Sequence, residues 1–374
     1  MIDSFFNMNN LKYKQRLLSL DFLRGLIMIL LMLESTGLYQ KLFNASTGNI
    51  LEPLFQQFFH HPWNGLRFWD LIQPAFMFMA GTAMAYSLYR QQVAGMSWSQ
   101  SFLKVLKRSG WLFFWGVLDY AVRPSGLSFE LWDVLTQLSF TTLVAFLIFR
   151  WNFAWQIIFS IALLVLTELL YRYSNVTGFN YPFTDQQNFG NYTDLLLMNK
   201  INKGGWVAIN CIPTAAHTIW GVLAGKLLMS KIEEKEKIKW LLVAGGAALL
   251  IGFGMDATIT PIIKRIATSS FVFASGGWCL LFLACCYWWI DIKKHKKYVL
   301  FFTVVGMNSI FIYLFIEIVG DRWFSEYIQA IGNGLLQIIH FPSVIAGILS
   351  ALLVFIIEWK ICWFLYKKEI FFKI

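Results

Sequence analysis

Apolar residues run through this chain in long continuous blocks, not in the alternating pattern of strands. Ten blocks approach or reach the roughly 20 residues that a helix needs to cross a bilayer. They cover about 18–39, 68–89, 104–122, 130–149, 152–171, 206–228, 239–256, 268–290, 298–319 and 343–366. The third is the weakest, because Lys104, Lys107 and Arg108 crowd its start; their aliphatic stems can snorkel toward headgroups. A transmembrane β-barrel would need short alternating segments. The pattern therefore predicts an all-α polytopic membrane protein, a bundle of about ten transmembrane helices forming one domain over residues 1–374. No long linker, low-complexity stretch or internal repeat interrupts it, which weighs against an inverted-repeat transporter.

Composition agrees. The chain is 57% hydrophobic and 14% charged, with 36 Phe and 17 Trp, whereas a soluble domain carries about 25% charged residues. The net charge of +10 is distributed as a topology signal. Ten spans put both termini on one side, and that side holds twenty Lys and Arg against nine on the other. Basic excess marks the cytoplasm, so both termini are expected there. The basic runs then contact anionic lipid, and nucleic-acid binding is set aside. The polar stretch Met1 to Arg16 leads into a first span with no small-residue cleavage site, which reads as a retained span, not a removed signal peptide. Cys211, Cys279, Cys285, Cys286 and Cys362 show no CxxC and no ligand spacing with His. They predict buried hydrophobes, with neither disulfides nor a metal site.

On this topology the 40–67, 172–205 and 320–342 loops lie outside, the last with aliphatics at helical spacing suited to lying along the surface. The first contains the most chemically dense stretch of the chain, His60-His61-Pro62-Trp63-Asn64-Gly65-Leu66-Arg67-Phe68-Trp69-Asp70. Ionisable groups at a bilayer are costly and point to function. Asp70 stands where it could cap the second helix or hydrogen-bond a histidine. Glu34 and Ser35 end the first span on the same side; there a carboxylate could orient an imidazole, bind an amine, or simply face water. At the cytoplasmic end, Asp21 and Arg24 are three residues apart and share a helix face. They read either as a helix-locking ion pair or as a cation awaiting an anionic cofactor. His217 in the sixth span and Asn308 in the ninth are polar groups that face another helix or a cavity.

In order along the chain, several pieces resemble one family. They are Ser19-Leu20-Asp21-Phe22-Leu23-Arg24-Gly25, the His60 to Gly65 stretch with Asp70 and the Phe-rich run to Gly81, Gly221-Val222-Leu223-Ala224-Gly225-Lys226, Pro261-Ile262-Ile263-Lys264 with Thr268-Ser269-Ser270, Gly306-Met307-Asn308-Ser309-Ile310-Phe311, and the tail from Ile361 to Ile374. Together these are similar to the membrane core of heparan-α-glucosaminide N-acetyltransferases and their bacterial relatives. The resemblance implies an integral membrane enzyme that takes acetyl-CoA on the cytoplasmic side and acetylates the amine of a glucosamine-type sugar on the far side. The family's functional histidine precedes the motif Trp by three positions, which is His60 here; His61 stands where the family usually has a small residue. An Asn common near the outer end of the first span is replaced by Ser35, preceded by Glu34. Few residues precede the first span, so no counterpart of the lumenal N-terminal domain of lysosomal members is expected, and a simpler amino sugar or another glycan is the easier acceptor to defend.

The expected site follows. His60 is the general base, at an ordinary imidazole pKa near 6.5, or a covalent acetyl relay. Direct transfer needs fewer steps. Asp70, Asn64 or Glu34 would orient the ring, and Asn64, Trp63, His61, Glu34 and Ser35 would hold the acceptor. Arg24, with Asp21 and Asn308, is the expected neighbour of the acetyl-CoA phosphates, although no glycine-rich phosphate loop is present. Two alternatives stay open: O-acylation of an envelope glycan on the same fold, and transport of a small solute. A bacterial inner membrane is the expected location, with membrane lipid as a partner. Self-association into a homo-oligomer is left open.

Overall fold

The computed structural model describes residues 17–123 and 127–372. The polar N-terminal stretch with Lys12, Lys14 and Arg16, and Lys373 and Ile374 of the tail, lie outside the described residues. Among the described residues the chain is all-helical, with no β-strand. Its helices are α1 Leu18–Ser35, α2 Leu38–Ser46, α3 Glu52–Gln56, α4 Ile72–Val93, α5 Trp98–Ala121, α6 Val134–Leu147, α7 Phe153–Tyr173, α8 Phe189–Met198, α9 Cys211–Met229, α10 Glu234–Thr258, α11 Ser269–Cys286, α12 Val299–Met307, α13 Ser309–Phe315, α14 Ser325–Ile338 and α15 Ser343–Lys367.

Five helical stretches are long and apolar enough to cross a membrane: Phe68–Val93, Phe153–Tyr173, Glu234–Thr258, Ser269–Ile292 and Ser343–Lys367. A sixth would be α12 with the helical stretch Ser309–Ile338, bent by 73° at Asn308. Each of the ten apolar blocks nevertheless coincides with helix, and local chemistry explains the shifted ends. The first block stops at Ser35 because the chain turns at Gly37 (φ 66°), a left-handed conformation that suits glycine. The third begins early, at Trp98, because Ser97 and Gln100 form a reciprocal capping box. Helix α1 has no side-chain cap of its own. Its Leu18 and Ser19 amides donate instead to the carboxylate of Asp291, at 3.2 and 3.1 Å.

Helix α9 lies at the centre, with every residue from Pro213 to Met229 buried. Helices α4, α6, α7 and α11 pack around it. The α4–α9 contact is a close approach of backbones through small residues: a Cβ on Gly81 would strike the Thr218 carbonyl, and one on Gly221 the carbonyl of Phe78. This is the small-residue packing of membrane helices. His217 belongs to this core; its Nε2 lies 2.9 Å from Ser275 Oγ on α11. Gly81→Leu is therefore expected to cost about 1–3 kcal/mol or more of overpacking and to lower the melting temperature in detergent. Gly246→Ala, where a Cβ meets open space, is expected not to lower it.

At one end of the bundle the connections are laced together. Trp63 Nε1 donates to the Phe183 carbonyl (2.7 Å), Gly65 N to the Ile262 carbonyl (2.8 Å), and Trp132 Nε1 to Asp194 (2.8 Å). Helix α14 packs along α15 and keeps Tyr327, Ile331 and Leu335 exposed. Its Gln329 accepts from Lys41 (2.8 Å) and donates to the Thr36 carbonyl (3.1 Å).

Candidate functional site

Three of these connections converge on His60. The 60–67 stretch is irregular backbone, held by the Trp63 and Gly65 bonds to the two neighbouring loops. Immediately after it, Arg67 to Leu71 tighten into a turn of 3-10 helix at the start of α4. Asp70 closes that turn: its carboxylate accepts from the amides of Arg67 (2.9 Å) and His61 (3.2 Å). The same carboxylate meets His60 Nδ1 at 2.9 Å. Both roles expected for Asp70, cap and histidine partner, thus coincide in one side chain, which is 1% exposed.

Lys264 completes the cluster from the loop between α10 and α11. Its Nζ stands 3.0 Å from His60 Nδ1, 3.5 Å from Nε2 and 3.9 Å from Asp70 Oδ1. The ammonium faces the Trp206 ring at 5.0 Å, a cation–π distance, and the same indole stands edge-on to the His60 ring at 5.5 Å. His60 keeps 35% of its side chain exposed, whereas Lys264 keeps 7%. The imidazole is the accessible member of a buried ionic frame.

Burial, and then the Lys264 charge, push His60 down to about 4, against the pull of Asp70. Burial also pushes Lys264 down to about 8, with Asp70 and Glu34 opposing the shift. Near neutral pH the ring is neutral and the ammonium is charged. Nδ1 faces an acceptor and a donor at once. In the tautomer that donates Nδ1–H to Asp70, as when a carboxylate orients a histidine, the lone pair on Nε2 faces the Lys264 ammonium at 3.5 Å.

The structure therefore joins His60 and Asp70, and adds Lys264 and Trp206, which the sequence reading did not assign to the site. The available signal was the segment Pro261-Ile262-Ile263-Lys264, a lysine closing an apolar stretch that already formed part of the resemblance. Glu34 borders the cluster: Trp69 hydrogen-bonds it, and its charge acts on Lys264. The other expected residues make contacts of their own. Asn64 is exposed and bonds neither His60 nor Asp70. Trp63 is committed to the Phe183 carbonyl and packs in a cluster with Tyr171, Val207 and Ile263. The His61 ring lies against Gly65, where a Cβ would be 2.6 Å from its Nε2, and its Nδ1 is buried without a partner. Ser35 turns its hydroxyl back onto the Met32 carbonyl (2.9 Å).

The set expected to hold acetyl-CoA lies elsewhere. Asp21 and Glu34 are thirteen residues apart on α1, about 20 Å along the helix. Arg24 and Asp21 pair loosely at 3.9 Å. Asn308, at the helix break, ties the tail: Nδ2 donates to the Ile370 carbonyl (3.0 Å) and Oδ1 accepts from Phe372 N (2.9 Å). No known family model matches the chain, and no curated protein matches it.

Proposed function

We propose that the protein is a membrane acetyltransferase that moves an acetyl group from cytoplasmic acetyl-CoA to an amine, on a glucosamine-type sugar, at the outer face. The observation that supports this reading best is the accessible imidazole of His60 fixed between the buried side chains of Asp70 and Lys264. The amine nitrogen attacks the thioester carbonyl carbon, and the carbonyl oxygen gains charge beside Lys264. His60 Nε2 takes the proton of the new ammonium; the C–S bond then breaks, and the proton passes to the departing thiolate. Asp70 and Trp206 act as positioning residues.

The orientation belongs to the same proposal: ten spans, both termini cytoplasmic, in a bacterial inner membrane. The lacing of the 40–67, 172–205, 257–267 and 320–342 segments at one end supports it, because ten alternating spans would gather these four together.

Purified protein incubated with radiolabelled acetyl-CoA and a panel of amino sugars tests the reading. N-acetylated product is expected; counterflow in vesicles without covalent product would replace it with transport. Label retained on the protein without acceptor would replace direct transfer with an acetyl-imidazole relay.

A pH profile is a further test. The neutral ring is present above about 4 and lost below it, so kcat/KM, corrected for the fraction of acceptor present as free amine, should hold down to about pH 5 instead of falling through 6.5. On the alkaline side it should fall as Lys264 loses its proton around 8. An acid limb centred near 6.5 would show that His60 is not held as described.

A further inference from the structure

Beside the His60 cluster stands a group of carboxylates that acetyl transfer itself leaves idle. Glu34 lies in the last turn of α1. After α13 the helix opens over Ile316–Phe324 into wide π turns, which bring Glu317 and Asp321, four positions apart, to one side. This segment packs on α1. Asp321 is the common neighbour: its charge acts on Glu34, on Glu317 and on Glu358 of α15. Glu34 in turn acts on Lys264, so the group adjoins the imidazole.

Among the described residues, no Lys or Arg nitrogen lies within 4 Å of these four carboxylates. Arg123 and Arg322 stand close by but pair with Asp119, at 3.0 and 3.6 Å. Arg322 also donates to the Val122 and Asp119 carbonyls. Glu358 is 0% exposed, and both of its carboxylate oxygens are buried without a hydrogen-bond partner. It is aimed at the wide turn, since a Cβ on Gly320 would meet its Oε1 at 3.5 Å. A buried polar group left unsatisfied is costly, and here its charged neighbour has its own sign. Glu34 and Asp321 are exposed, so a cation can reach the group without rearrangement of the fold.

Among the described residues, no three acidic, His or Cys side chains converge to hold one metal ion. The charges are spread out, which suits separate ammonium groups on one extended molecule. Ammonium donors to carboxylates make the stronger, charge-assisted class of hydrogen bond. We propose that Glu34, Glu317 and Asp321, backed by Glu358, form an acceptor subsite for an amino-sugar chain with more than one amine. Ammonium groups of neighbouring units rest on these carboxylates while one free amine faces His60. The choice of sugar rests on the acetyl-transfer reading and deepens it: the acceptor is an oligomer of glucosamine, not a single unit, and not a chain bearing its own acids.

The full chain in phosphatidylcholine nanodiscs is titrated at neutral pH with glucosamine tetramer and, as a matched uncharged chain, with N-acetylglucosamine tetramer. Burial and the Asp119 charge push Asp321 up only to about 6, so it is ionised there. Saturable binding of the amine-bearing tetramer is expected, about tenfold or more tighter than that of the acetylated one. Asp321→Asn should weaken it about tenfold, Glu317→Gln measurably, and Glu326→Gln, exposed on α14, not at all. Absent binding, equal binding of the two tetramers, wild-type binding by Asp321→Asn, or an equal loss in Glu326→Gln overturns the proposal. Should Asp321→Asn fail to fold, Glu317→Gln decides alone. Acetyl-CoA is then added to separate the two readings. Selective binding without acetylated product removes acetyl transfer and keeps the subsite. Acetylation of single glucosamine at the same kcat/KM as the tetramer removes the subsite and keeps acetyl transfer.

Discussion

Replacing His60 with alanine is expected to lower acetyl transfer by about 10²–10⁴-fold, the usual contribution of a positioned acid–base group, with little change in folding. The ring is 35% exposed, and its removal leaves the Asp70 bonds to the amides of His61 and Arg67 in place. The expected result is a protein that elutes and melts like the wild type but barely turns over. His61→Ala is the matched control: its ring packs on Gly65, so stability should fall while turnover of the folded fraction persists. Should purified His60→Ala acetylate an amine at close to the wild-type rate, the imidazole is not the base.

The largest stability effect is expected at Asp70. Its carboxylate holds two backbone amides, the His60 ring and a share of the Lys264 charge, and both Asp70 and Lys264 are almost fully buried. Removing one member of a buried ion pair typically costs about 3–5 kcal/mol, because the other charge stays buried without its counterpart. Asp70→Ala should therefore melt well below the wild type in the same detergent. Asp70→Ala combined with Lys264→Met should recover part of the loss, since neither charge then remains. A double-mutant cycle on melting measures the coupling directly. Additive losses in that cycle would mean that Lys264 and Asp70 do not sense each other.

These two tests address residues of unequal visibility in the sequence. His60 and Asp70 lie ten positions apart, and both are polar groups flanking an apolar block, so their pairing was readable. Lys264 and Trp206 were not. They come from loops that packing alone brings to His60, and neither periodicity nor composition carries that tertiary information. The helices were readable for the opposite reason: in lipid each must satisfy its own backbone, so every apolar block marks a helix without reference to its neighbours. Local chemistry set the ends, as at Ser97 and Gly37. For Asn308, periodicity left open whether it faces a cavity or another helix, and its bonds to backbone groups of residues 370 and 372 depend on a tail contact that periodicity does not carry. Asn64 and Trp63 are close to His60 in sequence, yet Trp63 gives its indole N–H to the Phe183 carbonyl and Asn64 is exposed, contacts that sequence proximity does not reveal.

The pairing of Asp70 with Lys264 also imposes an order on biosynthesis. The acid is translated early and the lysine late, so the growing polypeptide carries a carboxylate without its counter-charge while the intervening helices are threaded into place. Truncated nascent chains ending before residue 264 cannot contain the finished ionic frame, however well their own helices have formed.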